Sequence, residues 1–246
     1  MSSIQFLPYR GKIIDLIEHN GMIILASEHA EGANIGCYQF DLKESSEESV
    51  QKILTPSPVL GFTRCNAEIY GFDQQGNLLS FVAGRSTVVQ RFTPFDFLAT
   101  VSNELLLLVQ RSGLFSLFNI RTKEIRDLKL DAAITAVATD PASGRFALGD
   151  ECGMLHLYYP KNGQYSKGTL FQGNDAPLEQ LHEQPISALL FTTDDQGELA
   201  VISTSSDLRM YHTKVHEAKP LERSPQRNAR HQKRVIQMLN SGGQYF

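Results

Sequence analysis

The sequence contains no tryptophan, and its three cysteines lie far apart at Cys37, Cys65 and Cys152. An odd number of cysteines without a Cys-x-x-Cys spacing argues against a disulfide scaffold, so reduced structural thiols are expected. No apolar run approaches the roughly 20 residues that span a bilayer, and the first residues lack the apolar core of a signal peptide. These absences predict an intracellular protein, cytoplasmic or nuclear, with no membrane contact.

Catalytic motifs are absent as well. The chain has no G-x-S-x-G, no phosphate-binding loop and no H-E-x-x-H spacing. Of its seven histidines only His212 and His216 have a metal-like spacing, and without a third ligand nearby they are interpreted as a surface pair. A formal net charge of −4 over 246 residues is not the signature of a nucleic-acid-binding surface. No cofactor or metal is expected.

Short strands divided by turn residues recur along the chain. In residues 131–159, three apolar runs are separated by Asp-, Pro-, Ser- and Gly-containing turns at 140–144 and 151–153, the pattern of an antiparallel meander. The third run carries an aromatic residue near its end. Equivalent aromatics recur at intervals of about 40 residues, the period of a four-stranded propeller blade, with one longer last interval. They are Tyr38, Phe81, Phe118, Tyr158 and Tyr211.

Two further strands are predicted in front of each aromatic, and a weaker fourth strand follows in four units. The first strands are 13–18, 59–63, 97–101, 134–138 and 186–191; the second are 22–27, 68–72, 105–110, 145–149 and 198–203; the fourth are 50–54, 87–92, 124–130 and 168–171. First and second strands are apolar on both faces, for example at 105–108 and 187–191, so both faces are expected to pack between neighbouring blades. No segment before residue 224 has a helical period, and the predicted fold class is all-β.

Two of these units resemble WD40 repeats. His182 and the strand after it are similar to the "GH…V…L.F" opening of that family, and residues 147–158 resemble its "ASGS.DG.I..W" second and third strands. Tyr158 and Tyr211 stand in the place of the family's tryptophan, and Tyr159 and His212 in the place of the aspartate that follows it. The resemblance implies a β-propeller of four-stranded antiparallel blades in which the hydrogen-bonded tetrad of a regular WD40 blade is incomplete.

About five blades can be counted, fewer than the six or seven that are usual for the family, and three interpretations follow. Residues 4–7 form the outer strand of the last blade and close the circle; the circle is open and a partner completes it; or the chain is part of a longer protein. An open circle leaves unpaired strand edges that a partner must cover. The connection 160–184, with one strand and one helical turn, is a further candidate for partner binding.

The composition changes after residue 213, so a propeller domain of residues 1–213 and a basic tail of residues 214–246 are predicted. Residues 229–240 have the pattern of a short basic amphipathic helix that ends before Gly242. The helix folds back on the propeller, docks into a partner protein or contacts RNA phosphates; membrane-surface binding is the weakest option. The candidate partner-binding residues are Arg223, Arg227, Arg230, Lys233, Arg234, Val235, Met238 and Leu239.

The predicted function is that of a non-catalytic scaffold or adaptor subunit in a multi-protein or ribonucleoprotein complex, which binds partners through propeller loops, blade edges and the tail. The alternative is a five-bladed enzyme similar to glycoside hydrolases, in which Asp15, Asp96 and Asp131 serve as channel carboxylates. The missing tryptophan argues against it, because tryptophan usually lines sugar clefts. Asp150 and His156 are interpreted as turn and surface groups.

Overall fold

Five antiparallel sheets follow one another along the chain, and each is called a blade. In the computed structural model the described residues are 11–29, 35–41, 51–161, 163–168, 171–172, 176–177, 180–193, 197–207 and 209–215. Within them the first four blades have four strands and the fifth has three. Each strand pairs with the next along the chain, which is the meander predicted from the repeat.

The strand bounds are as follows. The first blade contains β1 (Gly11–His19), β2 (Met22–His29), β3 (Ile35–Asp41) and β4 (Gln51–Ile53); the second contains β5 (Val59–Cys65), β6 (Glu68–Asp73), β7 (Asn77–Val82) and β8 (Arg85–Arg91). The third contains β9 (Phe97–Ser102), β10 (Leu105–Val109), β11 (Leu114–Asn119) and β12 (Ile125–Lys129); the fourth contains β13 (Ile134–Asp140), β14 (Arg145–Asp150), β15 (Leu155–Lys161) and β16 (Gln164–Lys167). A short hairpin of β17 (Phe171–Gln172) and β18 (Ala176–Pro177) precedes the fifth blade, which contains β19 (Ile186–Thr193), β20 (Leu199–Ser205) and β21 (Met210–Lys214).

Local sequence explains the hairpins that build each blade. Asn20 and Gly21, between β1 and β2, both have positive φ, at 53° and 79°. Ala83 and Gly84 repeat this conformation between β7 and β8, at 49° and 73°. Two consecutive positive φ angles turn the chain with the twist that antiparallel strands need.

Neighbouring blades are joined through their first strands. β1 packs on β5, β5 on β9, β9 on β13 and β13 on β19. Polar side chains cross these joints: the Asp15 carboxylate accepts a hydrogen bond from the Phe62 N–H at 2.7 Å, and the Thr135 hydroxyl donates to the Ile186 carbonyl at 2.6 Å. These bonds fix the blades against one another, because each side chain is held by backbone of the next sheet.

The apolar core lies between blades rather than at one centre. One buried cluster joins the first and second blades and includes Ile24 and Leu79; a second joins the second and third and includes Phe72 and Leu106. The largest joins the third and fourth blades, where Phe146 stacks on Tyr158 at 4.7 Å between ring centroids and Phe115 meets the Tyr158 ring edge-on at 5.4 Å. The aromatics that revealed the repeat therefore serve as packing elements.

The structure corrects the predicted outer strand of the fourth blade. It is Gln164–Lys167 and not residues 168–171. Gly163, at a φ of 73°, lets the chain reverse directly after β15, so the returning strand begins four residues earlier than predicted. The part of the connection 160–184 that the structure describes contains this strand and the β17–β18 hairpin; the helical turn expected there falls partly on residues outside the described ones.

The burial predicted for both faces of the first and second strands is wrong for β1 and β19, the first strands of the first and fifth blades. β10 is buried along almost its whole length, as expected, but in β19 Ser187, Ala188 and Leu190 are exposed. An apolar residue pattern shows that a face can be buried; it does not show that a neighbour is there to bury it.

Several predictions fall outside the described residues. These are the closing strand at residues 4–7, the basic helix at 229–240 and therefore the tail. The chain divides into two compact units, Met1–Lys214 and Val215–Phe246; the boundary predicted after residue 213 stays a prediction. Among the residues that are described, no helix is long and apolar enough to cross a membrane.

Candidate interaction surfaces

A buried carboxylate holds the turn between the second and third strands of two blades. Asp73 in the second blade and Asp150 in the fourth are each 1% exposed. Both accept hydrogen bonds from the backbone N–H groups two and four residues later, at 2.9–3.0 Å. The remaining oxygen of Asp73 accepts from the Asn77 amide at 2.7 Å, and that of Asp150 lies 2.7 Å from Nε2 of His156. These turns are therefore rigid, because both oxygens of each carboxylate have a hydrogen-bonding partner.

The interpretation of His156 as a surface group is wrong. Its side chain is 5% exposed, on β15. Burial lowers the pKa of His156 from its usual value of 6.5. The hydrogen bond to the Asp150 carboxylate opposes this shift, and the nearby Lys167 adds to it. The ring therefore serves as the hydrogen-bond partner of the second Asp150 oxygen. Its burial could not be predicted from the sequence, because a histidine within a strand can face either side.

The fifth blade assembles a larger polar network. Nδ1 of His182 lies 3.0 Å from the Asp207 carboxylate, and Nε2 lies 3.0 Å from the hydroxyl of Ser203. His182 is 1% exposed, and Tyr211 packs edge-on against its ring at 4.8 Å. Burial raises the pKa of Asp207, but hydrogen bonds from the Arg209 N–H and from His182 outweigh it, so the pKa lies below its ordinary value. The hydrogen-bonded tetrad was predicted to be incomplete. Its polar members, His182, Ser203 and Asp207, lie together in this blade, and Tyr211 stands in the place of the tryptophan.

Glycines bring these turns against the connections that enter the next blade. Gly113 and Gly153 have φ angles of 95° and 80°, and a Cβ atom would collide with the carbonyl oxygens of Leu130 and His182, respectively. The same glycines accept backbone hydrogen bonds from the N–H groups of Leu130 and His182, at 2.9 and 3.1 Å. We call the surface formed by these turns and connections the turn face. The backbone of the turn face is fixed by hydrogen bonds and close contacts. A surface that is already ordered loses little conformational entropy when it binds a partner.

The three candidate channel carboxylates have different surroundings. Asp15 lies within β1 and also accepts the N–H of Leu16 at 2.9 Å, while Asp96 precedes β9 and accepts the N–H of Arg111 at 2.7 Å. Asp131 follows β12, with its side chain 96% exposed and 3.4 Å from Lys129. Paired catalytic carboxylates must flank one bond. Here one carboxylate lies within a strand and the other two lie in connections before later blades. Asp15 and Asp96 are also bound to backbone N–H groups, so the arrangement does not favour the enzymatic alternative.

A shallow groove lies between the second and third blades, at the turns opposite the turn face. Its volume is about 360 Å³, within the range of roughly 300–1,000 Å³ that small ligands occupy. Tyr70 donates a hydrogen bond to Glu68 at 2.6 Å, and Glu104 pairs with Arg121 at 3.4 Å. The groove is lined by two acidic residues, Glu68 and Glu104, and two basic residues, Arg121 and Lys123, so it offers a polar surface with no dominant charge.

The cysteines fall into two classes. All three, which the structure describes, are free. Burial raises the pKa of Cys37 to about 12 and that of Cys65 to about 11, so these two thiols resist ionisation. Cys152 is exposed in the turn after β14, so the description as a structural thiol fits only the other two.

The sequence-predicted tail residues and half of the histidine pair cannot be placed. His212 is exposed on β21, and His216 lies outside the described residues. In the part of the chain that is described, no group of three His, Cys, Asp or Glu side chains could hold a metal ion. The tail candidates, all outside the described residues, are Arg223, Arg227, Arg230, Lys233, Arg234, Val235, Met238 and Leu239.

Comparison with known proteins supports the fold. No family model matches the sequence, and no curated protein matches it. Among solved structures, the crystal structure of the C-terminal WD40 domain of Sif2 is similar, with a TM-score of 0.59 and 11% sequence identity. The similarity covers 83% of this chain and 70% of that domain. Together with the repeated antiparallel blades, it shows that the fold is that of a degenerate WD40-like β-propeller.

Proposed function

We propose that the chain is a non-catalytic, intracellular interaction scaffold that works as a subunit of a larger multi-protein assembly. One observation carries the proposal: the aspartates that could act as catalytic groups instead accept hydrogen bonds from backbone N–H groups. Asp73, Asp150 and Asp207 fix turns, and Asp15 and Asp96 fix strand junctions. What they build is a stiff set of turns, and stiffness lowers the cost of ordering a surface when it binds.

One fold supports many functions, so the proposal rests on the roles of these residues and not on the fold alone. Binding through the turn face, the blade edges and the tail would need no further chemistry. The tail adds six basic residues between Lys219 and Arg234, followed by an apolar Val235, Met238 and Leu239 pattern. The apolar pattern fits a groove on a partner protein, whereas the basic residues fit RNA phosphates.

The test is the mass and composition of the complex that the intact chain retains when isolated under native conditions. We expect other proteins to stay with the intact chain and to be lost from a chain that ends at Val215. A chain that is monomeric, and whose tail can be removed without consequence, would contradict the proposal. Treatment with ribonuclease and with high salt distinguishes RNA-mediated retention, because phosphate contacts weaken steeply with salt.

Two matched tail variants separate protein docking from RNA contact. Arg230→Gln with Lys233→Gln and Arg234→Gln removes charge; Val235→Ser with Met238→Ser and Leu239→Ser removes the apolar face. We expect the second variant to lose protein partners and the first to keep them. The reverse result, together with sensitivity to ribonuclease, would assign the tail to RNA.

The enzymatic alternative has its own test. Asp15→Asn with Asp96→Asn keeps an acceptor oxygen at each position and removes both carboxylates. Unchanged cellular activity and assembly are expected for a scaffold. Loss of cellular activity while the assembly stays intact would favour the enzyme.

A further inference from the structure

The groove between the second and third blades takes no part in the proposed scaffold function. Its volume of about 360 Å³ lies in the range of roughly 300–1,000 Å³ that is usual for small-molecule sites. The second blade contributes one side of the groove, which includes Glu68 and Tyr70, and the third blade contributes the other, which includes Glu104, Arg121 and Lys123. We call these sides the second-blade wall and the third-blade wall.

The second-blade wall holds a carboxylate in place. Tyr70 is only 4% exposed, and its hydroxyl donates a hydrogen bond to Oε2 of Glu68 at 2.6 Å. Burial raises the pKa of Tyr70 and the hydrogen bond to Glu68 raises it further, so at neutral pH the hydroxyl keeps its proton and remains a donor. Glu68 is itself exposed, and among the described residues none forms an ion pair with it. Its carboxylate is therefore positioned by Tyr70 and open to a cation.

The third-blade wall carries two cations on one turn, the turn between β11 and β12. Oδ1 of Asn119 accepts hydrogen bonds from the N–H groups of Arg121 and Thr122, both at 2.9 Å. Lys123 follows with a φ of 63°, in the left-handed region where most residues other than glycine and asparagine are uncommon. Backbone strain of this kind clusters at functional positions. The turn fixes the backbone from which the Arg121 and Lys123 side chains extend.

Neither cation has a strong partner. In the part of the chain that the structure describes, Lys123 forms no ion pair, and its ammonium lies 5.7 Å from the centroid of the Phe118 ring. Arg121 lies 3.4 Å from Glu104, but the two side chains are 79% and 49% exposed, and exposed ion pairs are weak. Arg121 can therefore exchange Glu104 for a carboxylate that a ligand brings.

The charges of the two walls select one class of ligand. The second-blade wall has one carboxylate, whereas the third-blade wall has two cations and one carboxylate. An anion such as phosphate would lie against Glu68 and Glu104, and a polyamine would lie against Arg121 and Lys123. A molecule with a cation at one end and a carboxylate at the other avoids both repulsions, because each end meets the opposite charge.

We propose that this groove binds a small zwitterion of the α-amino-acid class, with its ammonium at Glu68 and its carboxylate at Arg121 and Lys123. The site adds a small-molecule function to the proposed scaffold role and does not depend on it. Ile120 is the one aliphatic residue of the lining, so the groove offers little apolar contact and favours a ligand with a short or polar side chain. Because both walls hold the ligand, its binding links the second blade to the third.

The test measures the melting temperature of the isolated full chain with each standard amino acid at millimolar concentration. A ligand that binds only the folded chain raises this temperature by mass action. We expect at least one amino acid to do so. Its methyl ester, which lacks the carboxylate charge, and its N-acetyl form, which lacks the ammonium charge, should give no shift. The absence of a shift with every amino acid, or an equal shift with either blocked form, would overturn the proposal.

Matched variants locate the site. Glu68→Gln keeps an acceptor for Tyr70 and removes the charge, and Lys123→Gln removes the opposite charge. Each should weaken binding of that amino acid, measured by titration calorimetry, by about tenfold or more, the loss expected for one charged hydrogen bond. Lys129→Gln removes the same charge from β12 outside the groove and should leave the affinity unchanged. Unchanged affinity in the first two variants, or an equal loss in the third, would overturn the proposal. All three side chains are exposed, so the melting temperatures without ligand should stay the same, which confirms that each variant is folded.

Discussion

The joint between the third and fourth blades and the outer side of the fifth blade are built from the same kinds of residue and yet differ in burial. At the joint, Phe146 and Leu148 are fully buried against Phe115. On the fifth blade, Leu190 has a similar aliphatic side chain in a similar strand and is mostly exposed. The difference shows that the apolar residues of a blade determine whether its faces can be buried. Whether they are buried depends on the position of the blade in the series, because only a neighbouring blade covers a face.

The largest effect expected from this comparison concerns the aromatic residues of the two regions. Tyr158→Ala should destabilise the chain by about 3–5 kcal/mol, because it empties a buried site stacked on Phe146. Tyr211→Ala, at the equivalent but half-buried position of the fifth blade, should cost about half as much. Denaturant titration of both variants measures this, and a loss below about 1 kcal/mol for Tyr158→Ala would show that the assigned packing is wrong.

The polar network of the fifth blade is expected to contribute somewhat less. His182→Ala leaves the buried Ser203 and the Asp207 carboxylate without their partner, which should cost about 2–3 kcal/mol. Thermal or chemical unfolding measures the loss. His182→Asn, which keeps one donor and one acceptor, should recover part of it. Equal losses in the two variants would indicate that packing against Tyr211, and not hydrogen bonding, holds this blade.

Gly113 on the turn face has a matched control in Gly163, which lies in the turn between β15 and β16. Gly113→Ala should cost about 2–3 kcal/mol, because both positive φ and the carbonyl oxygen of Leu130 oppose the added Cβ. Gly163→Ala has a positive φ of 73° and no atom within 4 Å of the added Cβ, so it should cost only about 1 kcal/mol. Equal unfolding free energies for the two variants would contradict the close contact between turn and connection.

The smallest effect is a pH dependence from the fourth blade. Burial lowers the pKa of His156 in the folded chain, so below its usual value of about 6.5 the unfolded chain binds more protons. Stability should therefore fall as the pH drops from about 7 towards 5. His156→Gln keeps a donor for Asp150 without titrating and should flatten this part of the profile. Parallel profiles for both proteins, from unfolding titrations at several pH values, would exclude His156 as the cause.

The repeat could be predicted from the sequence because each blade carries its own local signals. Turn residues such as Gly144 and Gly153, and the aromatics at the ends of third strands, mark the hairpins and the period. The fold class, the four-stranded blades and most strand positions followed from them. The outer strand β16 did not, because a single glycine decided where the chain reversed.

The contacts between blades could not be predicted in the same way. Asp73 and Asp150 share a pattern, Asp-x-x-Gly that begins with the last residue of the second strand, and this pattern could have identified the buried turn carboxylates. Nothing in the local sequence distinguishes the covered Leu148 from the exposed Leu190, since burial at such a position depends on whether a neighbouring sheet packs on it.

The central claim is that the described blades pack in a series whose first and last strands, β1 and β19, are not joined to each other. The distance between these two strands tests it most directly. Nitroxide labels on introduced cysteines at Leu16 and Leu190, in a chain with Cys152→Ser, would be compared with labels at the half-buried Ala99 and Ala138 on the adjacent strands β9 and β13; Cys37 and Cys65 are buried and should not react. We predict that the first pair is farther apart by at least about 10 Å, the thickness of one packed sheet. Equal separations for the two pairs would show that the first and fifth blades pack against each other, and would contradict the account.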